Sequence, residues 1–196
     1  MKTALDQQSL DQLFLAARSY NQFTDQAVSD DTIHALYDLL KCGPTSMNTQ
    51  PARYVFVRSQ QARERLLAAM KASNLEKTRN APVSVIVAAD TAFYEYLPTQ
   101  FKAYDAKPLF MANQVLAEAT AFRNSSLQGA YLILAARALG LDCGAMSGFD
   151  PAKVNAEFFS DGRWKANFIV NLGYGTTEGY HPRGPRLDFE QVARIV

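Results

Sequence analysis

The chain has 196 residues, of which 48% are hydrophobic, so one substantial core and a single domain over residues 1–196 are expected. Its formal charge of +1 without a basic stripe argues against a nucleic-acid partner, and its apolar runs are too short to cross a bilayer. Without a signal-peptide pattern, a Cys-x-x-Cys pair or histidines at ligand spacing, a reduced cytoplasmic protein with no metal and no membrane contact is expected.

The first predicted element is an amphipathic helix over residues 7–20. Its apolar face consists of Leu10, Leu13, Phe14 and Ala17. Arg18, Ser19 and Asn21 follow, and Arg18 could simply complement the negative end of the helix dipole. We favour a compact anion site, because arginine offers a planar fork of donors beside the polar side chains.

A second helix begins at Ser29, which can cap it. Its predicted buried face consists of Ile33, Leu36, Tyr37 and Leu40. Gly43 is expected to end this helix. Tyr37 and Lys41 match the spacing of the catalytic pair in short-chain dehydrogenases, but no glycine-rich turn supports that activity, and a tyrosine in the core explains the position.

The loop from Gly43 to Pro51 is rich in uncharged polar side chains between two prolines. Its candidate ligand-binding residues are Pro44, Thr45, Ser46 and Asn48. Gln50 adds a further side chain that can donate and accept hydrogen bonds. The prolines predict an open, non-helical backbone, and amides and hydroxyls suit a flat heteroaromatic ligand. An ordinary connecting loop is the alternative at this point.

The order Pro-Thr-Ser-x-Asn-x-Gln-Pro, followed by a strand over residues 53–58, resembles the flavin loop of the nitroreductase family. The resemblance implies an α+β fold in which helices wrap a mixed sheet, and an intertwined homodimer with FMN at the interface. It also implies ping-pong hydride transfer from NADH or NADPH through FMN. In that family an Arg-Ser-x-Arg cluster holds the FMN phosphate, whereas Asn21 here lacks the usual charge.

Asn74 and Lys77 lie one helical turn apart, before a buried strand predicted over residues 83–89. A solvated surface pair is the plain explanation. The resemblance instead implies that Asn74 contacts the flavin ring and that Lys77 lies by its pyrimidine edge. The aromatic-rich segment 91–110 is predicted to be irregular and to contact either substrate or a partner subunit.

A long helix is predicted over residues 112–139, with a polar stretch from Arg123 to Ser126 in its middle. No Gly-x-Ser-x-Gly elbow supports a serine nucleophile there, and a polar dimer interface is preferred. Gln128 is predicted to reach the flavin site of the partner subunit.

The remaining candidates lie in the last third of the chain. In the turn over residues 142–150, the family resemblance implies that amides near Ser147 and Gly148 reach the flavin, while Cys143 is expected to be a packing residue. After a strand over residues 166–173, Arg183 and Arg186 are predicted to return to the FMN phosphate. The segment 188–196 resembles a short helix or an arm on a partner subunit.

Within the family, the chain most resembles the malonic semialdehyde reductases of the Rut pyrimidine-degradation pathway. Four segments carry this resemblance: 41–46, 120–126, 146–150 and 171–175. The resemblance implies reduction of 3-oxopropanoate, with Arg123 as a candidate anchor for its carboxylate or, equally, as part of an interface ion pair. The alternatives are a general nitroreductase or quinone reductase, a non-catalytic flavin-binding protein and a flavin-free NAD(P)-dependent dehydrogenase.

Overall fold

The framework of the computed structural model, which describes residues 3–196, is a four-stranded sheet. In chain order the strands are β1 (Ala52–Val57), β2 (Val83–Asp90), β3 (Asp142–Met146) and β4 (Trp164–Gly173). They lie in the order β1-β2-β4-β3, and each neighbouring pair is antiparallel. β1 and β3 are therefore the two edges of this sheet.

Helices surround the sheet. They are α1 (Gln7–Leu10), α2 (Asp30–Leu40), α3 (Gln60–Leu67), α4 (Ala72–Arg79), α5 (Leu97–Gln100), α6 (Lys107–Met111), α7 (Gln114–Ala138), α8 (Pro151–Phe158) and α9 (Phe189–Val192). A π-helical turn over Asp11–Leu15 continues α1, and 3₁₀ turns cover Ser46–Asn48 and Phe93–Tyr96. In the part of the chain described, none of the helices has the length and apolar character needed to cross a membrane.

The core forms because β2 is apolar on both faces and every one of its residues is buried. On one face α7 packs against the sheet and α2 packs against α7, which buries Leu36 and Leu40 completely. On the other face α3 and α8 cover a second cluster. Gly129 permits the close approach of α7, since a Cβ there would lie 2.2 Å from Cζ of Phe168.

The predicted α+β class is confirmed, but the sheet differs from the mixed sheet that the resemblance implied. All of its four strands run antiparallel to their neighbours, because β2 and β3, which run in the same direction, are separated by β4. Among residues 3–196, parallel pairing is limited to a bridge between Ser19 and Cys143, at the outer edge of β3.

Two helical predictions need correction. The first helix ends at Leu15 rather than near residue 20, and its predicted apolar face is not buried within the chain: Phe14 is 49% exposed. In α2, Ser29 accepts the Thr32 amide as predicted, at 3.1 Å. Tyr37, however, is 47% exposed and lines a surface cavity, so it is not a core residue.

Residues 91–110 are more ordered than predicted. They contain α5, most of α6 and a 3₁₀ turn instead of an irregular loop. Phe93 and Phe110 are buried and meet edge to face, with ring centroids 5.0 Å apart. These two aromatics belong to a third core cluster, which also includes alanines of β2 and α7, while Tyr96 and Tyr104 remain largely exposed.

Candidate cofactor-binding site

Four arginines from distant parts of the chain line one cavity of about 620 Å³. Arg18 follows the π-helical turn, Arg137 lies in the last turn of α7, and Arg183 and Arg186 lie in the C-terminal segment. None of the cavity's lining residues within 3–196 is acidic, and none of these arginines forms an ion pair there. The cavity is thus a concentration of positive charge suited to an anion.

The arginines also cap the end of the first helix. Nη1 of Arg18 donates to the carbonyls of Leu15, Ala16 and Ala17 at 2.9 to 3.0 Å. Nη2 of Arg183 donates to neighbouring carbonyls at 2.7 to 3.0 Å. Both explanations offered for Arg18 therefore have support: it caps the helix, and it faces the shared cavity.

Donor capacity remains after this capping. Nε of Arg18 is buried and has no hydrogen-bond partner in the described chain. Desolvation, together with repulsion from Arg18, Arg186 and Arg137, lowers the pKa of the Arg183 guanidinium. A phosphate dianion would satisfy the spare donor and relieve the repulsion, so the residues present fit such a group.

Ser19 and Asn21 are held against the edge of β3. The Tyr20 amide donates to the Cys143 carbonyl at 2.9 Å, next to the bridge from Ser19. Gly144 makes this approach possible, because a Cβ there would lie 2.3 Å from the Tyr20 carbonyl oxygen. Burial raises the pKa of the Cys143 thiol to about 12, as expected for a packing residue.

Asn21 also lines a neighbouring cavity of about 610 Å³, which includes Lys77. Asn74 is buried on the same helix and its Nδ2 donates to the Gly148 carbonyl at 2.9 Å, so it is not part of a solvated surface pair. The Cβ of any larger residue at Gly148 would lie 2.3 Å from that amide nitrogen. Ser147 is exposed beside it.

The backbone of Lys77 is fixed from the sheet. Its carbonyl accepts a hydrogen bond from Nδ2 of Asn171 at 2.9 Å, and Oδ1 of Asn171 accepts one from Ser84 Oγ at 2.7 Å. Asn171 and Ser84 are buried in β4 and β2. This satisfied polar pair sets where α4 lies relative to the sheet.

The polar loop contains a 3₁₀ turn over Ser46–Asn48, although the prolines predicted a wholly non-helical backbone. Its polar groups partly satisfy one another: the Gln50 amide donates to Thr45 Oγ1 at 3.1 Å, and Gln50 Nε2 donates to Asn48 Oδ1 at 2.9 Å. Nδ2 of Asn48 donates to the Gln100 carbonyl at 3.0 Å. Pro44 and Ser46 are exposed beside them.

One chain does not bring this loop to the arginine cavity. Ser19 lies beyond β3 at one edge of the sheet, and Gln50 lies just before β1 at the other. Across the paired strands, Cys143 is aligned with the first residue of β2, whereas Ala52 is aligned with a residue near the end of β2. With about 4.8 Å between strands and about 3.3 Å per residue, the two groups are on the order of 25 Å apart.

Gln128 and Arg123 occupy different faces of α7. Gln128 is 4% exposed and its Oε1 accepts the Ala52 amide at 2.9 Å, so it lies beside the polar loop of its own chain. Arg123 lies on the exposed face and lines a shallow, mostly apolar cavity with Phe122 and Leu127. Whether either side chain meets a ligand stays a prediction.

The polar stretch in α7 forms hydrogen bonds within the chain. Asn124 Oδ1 accepts the Ser46 amide, and Nδ2 of Asn167 donates to the hydroxyls of Ser125 and Ser126 at 2.9 Å. The motif therefore ties α7 to the polar loop and to β4. The preferred interpretation as a polar dimer interface stays a prediction.

Sequence reasoning missed Arg137 and His181, which both line the arginine cavity. Arg137 had a sufficient local explanation, since a basic residue in the last turn of a helix complements its dipole. His181 also lines the cavity beside Lys77 and so joins the two cavities. Its position two residues before Arg183 was the available signal.

Comparisons with known proteins agree on one family. The sequence model of the nitroreductase family matches residues 15–174. A protein of Ralstonia nicotianae, provisionally named NADH dehydrogenase/NAD(P)H nitroreductase, is 56% identical over 192 residues and 98% of each chain. One of Burkholderia lata with the same provisional name is 58% identical over 193 residues, 98% of this chain and 99% of its own.

Solved structures share the fold at low sequence identity. A provisionally named nitroreductase of Exiguobacterium sibiricum, crystallised in complex with FMN, has a TM-score of 0.84 at 18% identity and covers 100% of this chain and 99% of its own. A provisionally named nitroreductase of Bacillus subtilis has a TM-score of 0.82 at 22% identity, over 97% of this chain and 100% of its own.

Proposed function

Because this chain belongs to the nitroreductase family, we propose that it is an FMN-dependent NAD(P)H oxidoreductase. The arginine cavity carries the proposal: four guanidinium groups that form no ion pair with a carboxylate within residues 3–196 fit the phosphate of FMN. When bound, FMN would supply the chemistry of hydride transfer between NADH or NADPH and a second substrate.

The chain's own residues would bind and tune that cofactor. The phosphate would be held by Arg18, Arg183 and Arg186. Arg137 would supply the charge that position 21 lacks. Asn74, fixed by Gly148, would meet the flavin ring, and the ammonium group of Lys77 would favour the anionic reduced state. No side chain is required as a nucleophile in this chemistry.

The separation of the two groups of candidate residues supports a homodimer. A single FMN is shorter than the distance between the arginine cavity and the polar loop of one chain. We therefore propose that the loop of one protomer, with Thr45, Ser46 and Asn48, completes the site whose arginines belong to its partner. Two equivalent sites would result.

The visible spectrum of the purified protein tests the cofactor and the reaction. We expect yellow protein from which FMN can be extracted, and bleaching of that colour when NADH or NADPH is added without oxygen. Colourless protein that does not bind added FMN would favour a flavin-free dehydrogenase. A yellow protein that neither nucleotide bleaches would instead be a flavin-binding protein without turnover.

For the substrate, we propose malonic semialdehyde, which would be reduced to 3-hydroxypropanoate. The support is the four-segment resemblance to that branch of the family, together with the exposed guanidinium of Arg123, which forms no ion pair within residues 3–196. A small carboxylic acid needs such a cation near the flavin. General nitroreductase or quinone reductase activity is the alternative, in keeping with the provisional names of the relatives.

The discriminating measurement is kcat/KM for malonic semialdehyde, nitrofurazone and menadione in the wild type and in Arg123→Ala. We expect the semialdehyde to be the best substrate of the three and the variant to lose activity on it alone. If the semialdehyde is the poorest substrate, the general reductase remains. If it is the best but Arg123→Ala leaves it unchanged, the reaction stands and the carboxylate is bound elsewhere.

A further inference from the structure

The polar loop holds a strained backbone. Met47, Asn48 and Gln50 have φ values of 50°, 51° and 40°, in the left-handed region that residues with a Cβ rarely adopt. Each such residue costs on the order of 1 kcal/mol or more, and the conformation persists only where surrounding contacts enforce it. Something outside the loop must therefore hold it in place.

Asn124 provides a buried contact of this kind. It lies in the middle of α7, is 2% exposed, and its Oδ1 accepts the Ser46 amide at 2.9 Å. Its Nδ2 donates to the Thr120 carbonyl one turn earlier, also at 2.9 Å, which fixes the side-chain orientation. Thr45 lies at the N-cap position of the 3₁₀ turn, but its side chain does not accept a hydrogen bond from the amides of that turn. Asn124, from α7, accepts the Ser46 amide in its place.

The other contacts of the loop do not reach Ser46: Nη1 of Arg53 donates to the Gln50 carbonyl at 3.0 Å, and Met47 packs against the cluster around Phe93. The bonds among Thr45, Asn48 and Gln50 lie within the loop and would move with it. The bond from Asn48 to Gln100 is exposed and ends on the surface segment 91–110. Asn124 instead joins the loop to the longest helix of the fold, and removing it would leave the Ser46 amide without an acceptor.

We propose that Asn124 is a positioning residue, which holds the strained loop in the geometry required for hydride transfer to the flavin. The proposal rests on the proposed function, because the loop is taken to contact the flavin ring. Asn124 acts through the loop, so its loss should affect the reaction of bound FMN more than phosphate-dependent retention of FMN. Placement errors of about 1 Å at a reacting centre slow reactions by up to about a hundredfold.

Three variants separate positioning from general stability. Asn124→Leu removes both hydrogen bonds and keeps the branched shape of the side chain. Asn124→Asp keeps an acceptor for the Ser46 amide, and its protonated form can also donate to the Thr120 carbonyl. Ser125→Ala is the matched control, because Ser125 is the next residue, is equally buried and loses its bonds to Phe122 and Asn167 without touching the loop.

The readout is the rate at which saturating NADH reduces bound FMN, measured by stopped flow and expressed relative to wild type at each pH. We expect Asn124→Leu to be slower by about tenfold to a hundredfold. Asn124→Asp should recover much of that loss, and more at about pH 5.5 than at about pH 8, since burial favours the neutral acid. Ser125→Ala should match wild type.

Equal slowing in Asn124→Leu and Ser125→Ala, or no slowing in Asn124→Leu, would overturn the proposal. Hydrogen exchange of the Ser46 amide is an independent measurement that needs no flavin. The Ser46 amide should lose protection in Asn124→Leu and keep it in Asn124→Asp. Unchanged exchange in both variants would show that Asn124 does not hold this amide. If wild-type protein is not reduced by NADH or NADPH, the proposed function fails, while hydrogen exchange still tests whether Asn124 holds the loop.

Discussion

At the scale of single residues, one cavity brings together arginines that no single sequence motif contains. Asn21 stands where the family resemblance predicts a basic residue. The C-terminal arginines are predicted to supply the missing positive charge. Arg183 and Arg186 do line the same cavity as Arg18, and Arg137 joins them from α7. The first three could be predicted from a motif; Arg137 could not, because residues that meet only through tertiary packing leave no local pattern.

Arg18→Ala should weaken FMN binding by about tenfold to a hundredfold, because a charge-assisted hydrogen bond contributes about 1.5–3 kcal/mol. The protein should purify with less flavin and should need added FMN for activity. Fluorescence titration gives the Kd, and Arg65→Ala is the control, since Arg65 is paired with Glu157 on the surface. Full flavin occupancy in Arg18→Ala would show that Arg18 only caps the helix.

Lys77→Ala should slow flavin reduction by roughly tenfold while changing the Kd for FMN much less, because its charge matters most when the flavin becomes anionic. Stopped-flow reduction and fluorescence titration on the same preparation separate the two effects. Lys71→Ala serves as the control, because Lys71 is an exposed lysine at the start of the same helix. An unchanged reduction rate would leave Lys77 without a role in tuning the flavin.

At the scale of elements, the well-predicted parts have strong local signals. The apolar run of β2, the Ser29 cap of α2 and the uninterrupted pattern of α7 all appear where expected. Local signals did not reveal the strained turn at Met47 and Asn48, because a positive φ is normally marked by glycine and here depends on a bond from α7. The sequence shows the apolar face of the first helix but does not show what packs against that face.

Gly144 links the fold of β3 to the candidate site. A Cβ at this position would press on the Tyr20 carbonyl, which is backbone and cannot rotate away. Gly144→Ala should therefore lower the free energy of unfolding by about 1–3 kcal/mol, through overpacking. It should also weaken FMN binding, because the displaced segment carries Arg18, Ser19 and Asn21.

Urea unfolding and FMN titration measure the two effects of Gly144→Ala. Ala145→Ser is the control at the next position, where the side chain is exposed. If Gly144→Ala loses stability and keeps its FMN affinity, the placement of the Arg18 segment against β3 is not what shapes the site.

At the scale of the whole molecule, two apolar surfaces that remain uncovered bear on assembly. One is the outer face of α7, where Val115 is 77% and Phe122 is 63% exposed. The other is the C-terminal segment, whose exposed apolar residues are Leu187, Phe189, Val192, Ile195 and Val196. The outer edge of β1 also has no strand partner among residues 3–196. Surfaces and edges of this kind are typical of an obligate interface between copies.

Truncation after Arg186 tests whether the C-terminal segment is an arm on a partner subunit. The shortened chain keeps both C-terminal arginines of the cavity but loses all five of those exposed apolar residues. We expect full-length protein to be a dimer at micromolar concentration by light scattering, and the truncated chain to dissociate and lose FMN, because each site would need the loop of a second chain.

Leu5→Ser, which removes an exposed apolar residue elsewhere, should leave the dimer intact. A stable, flavin-loaded monomer of the full-length chain would contradict both the dimer and the shared site, whereas a truncated chain that stays dimeric and yellow would show that the C-terminal segment is not needed for the interface.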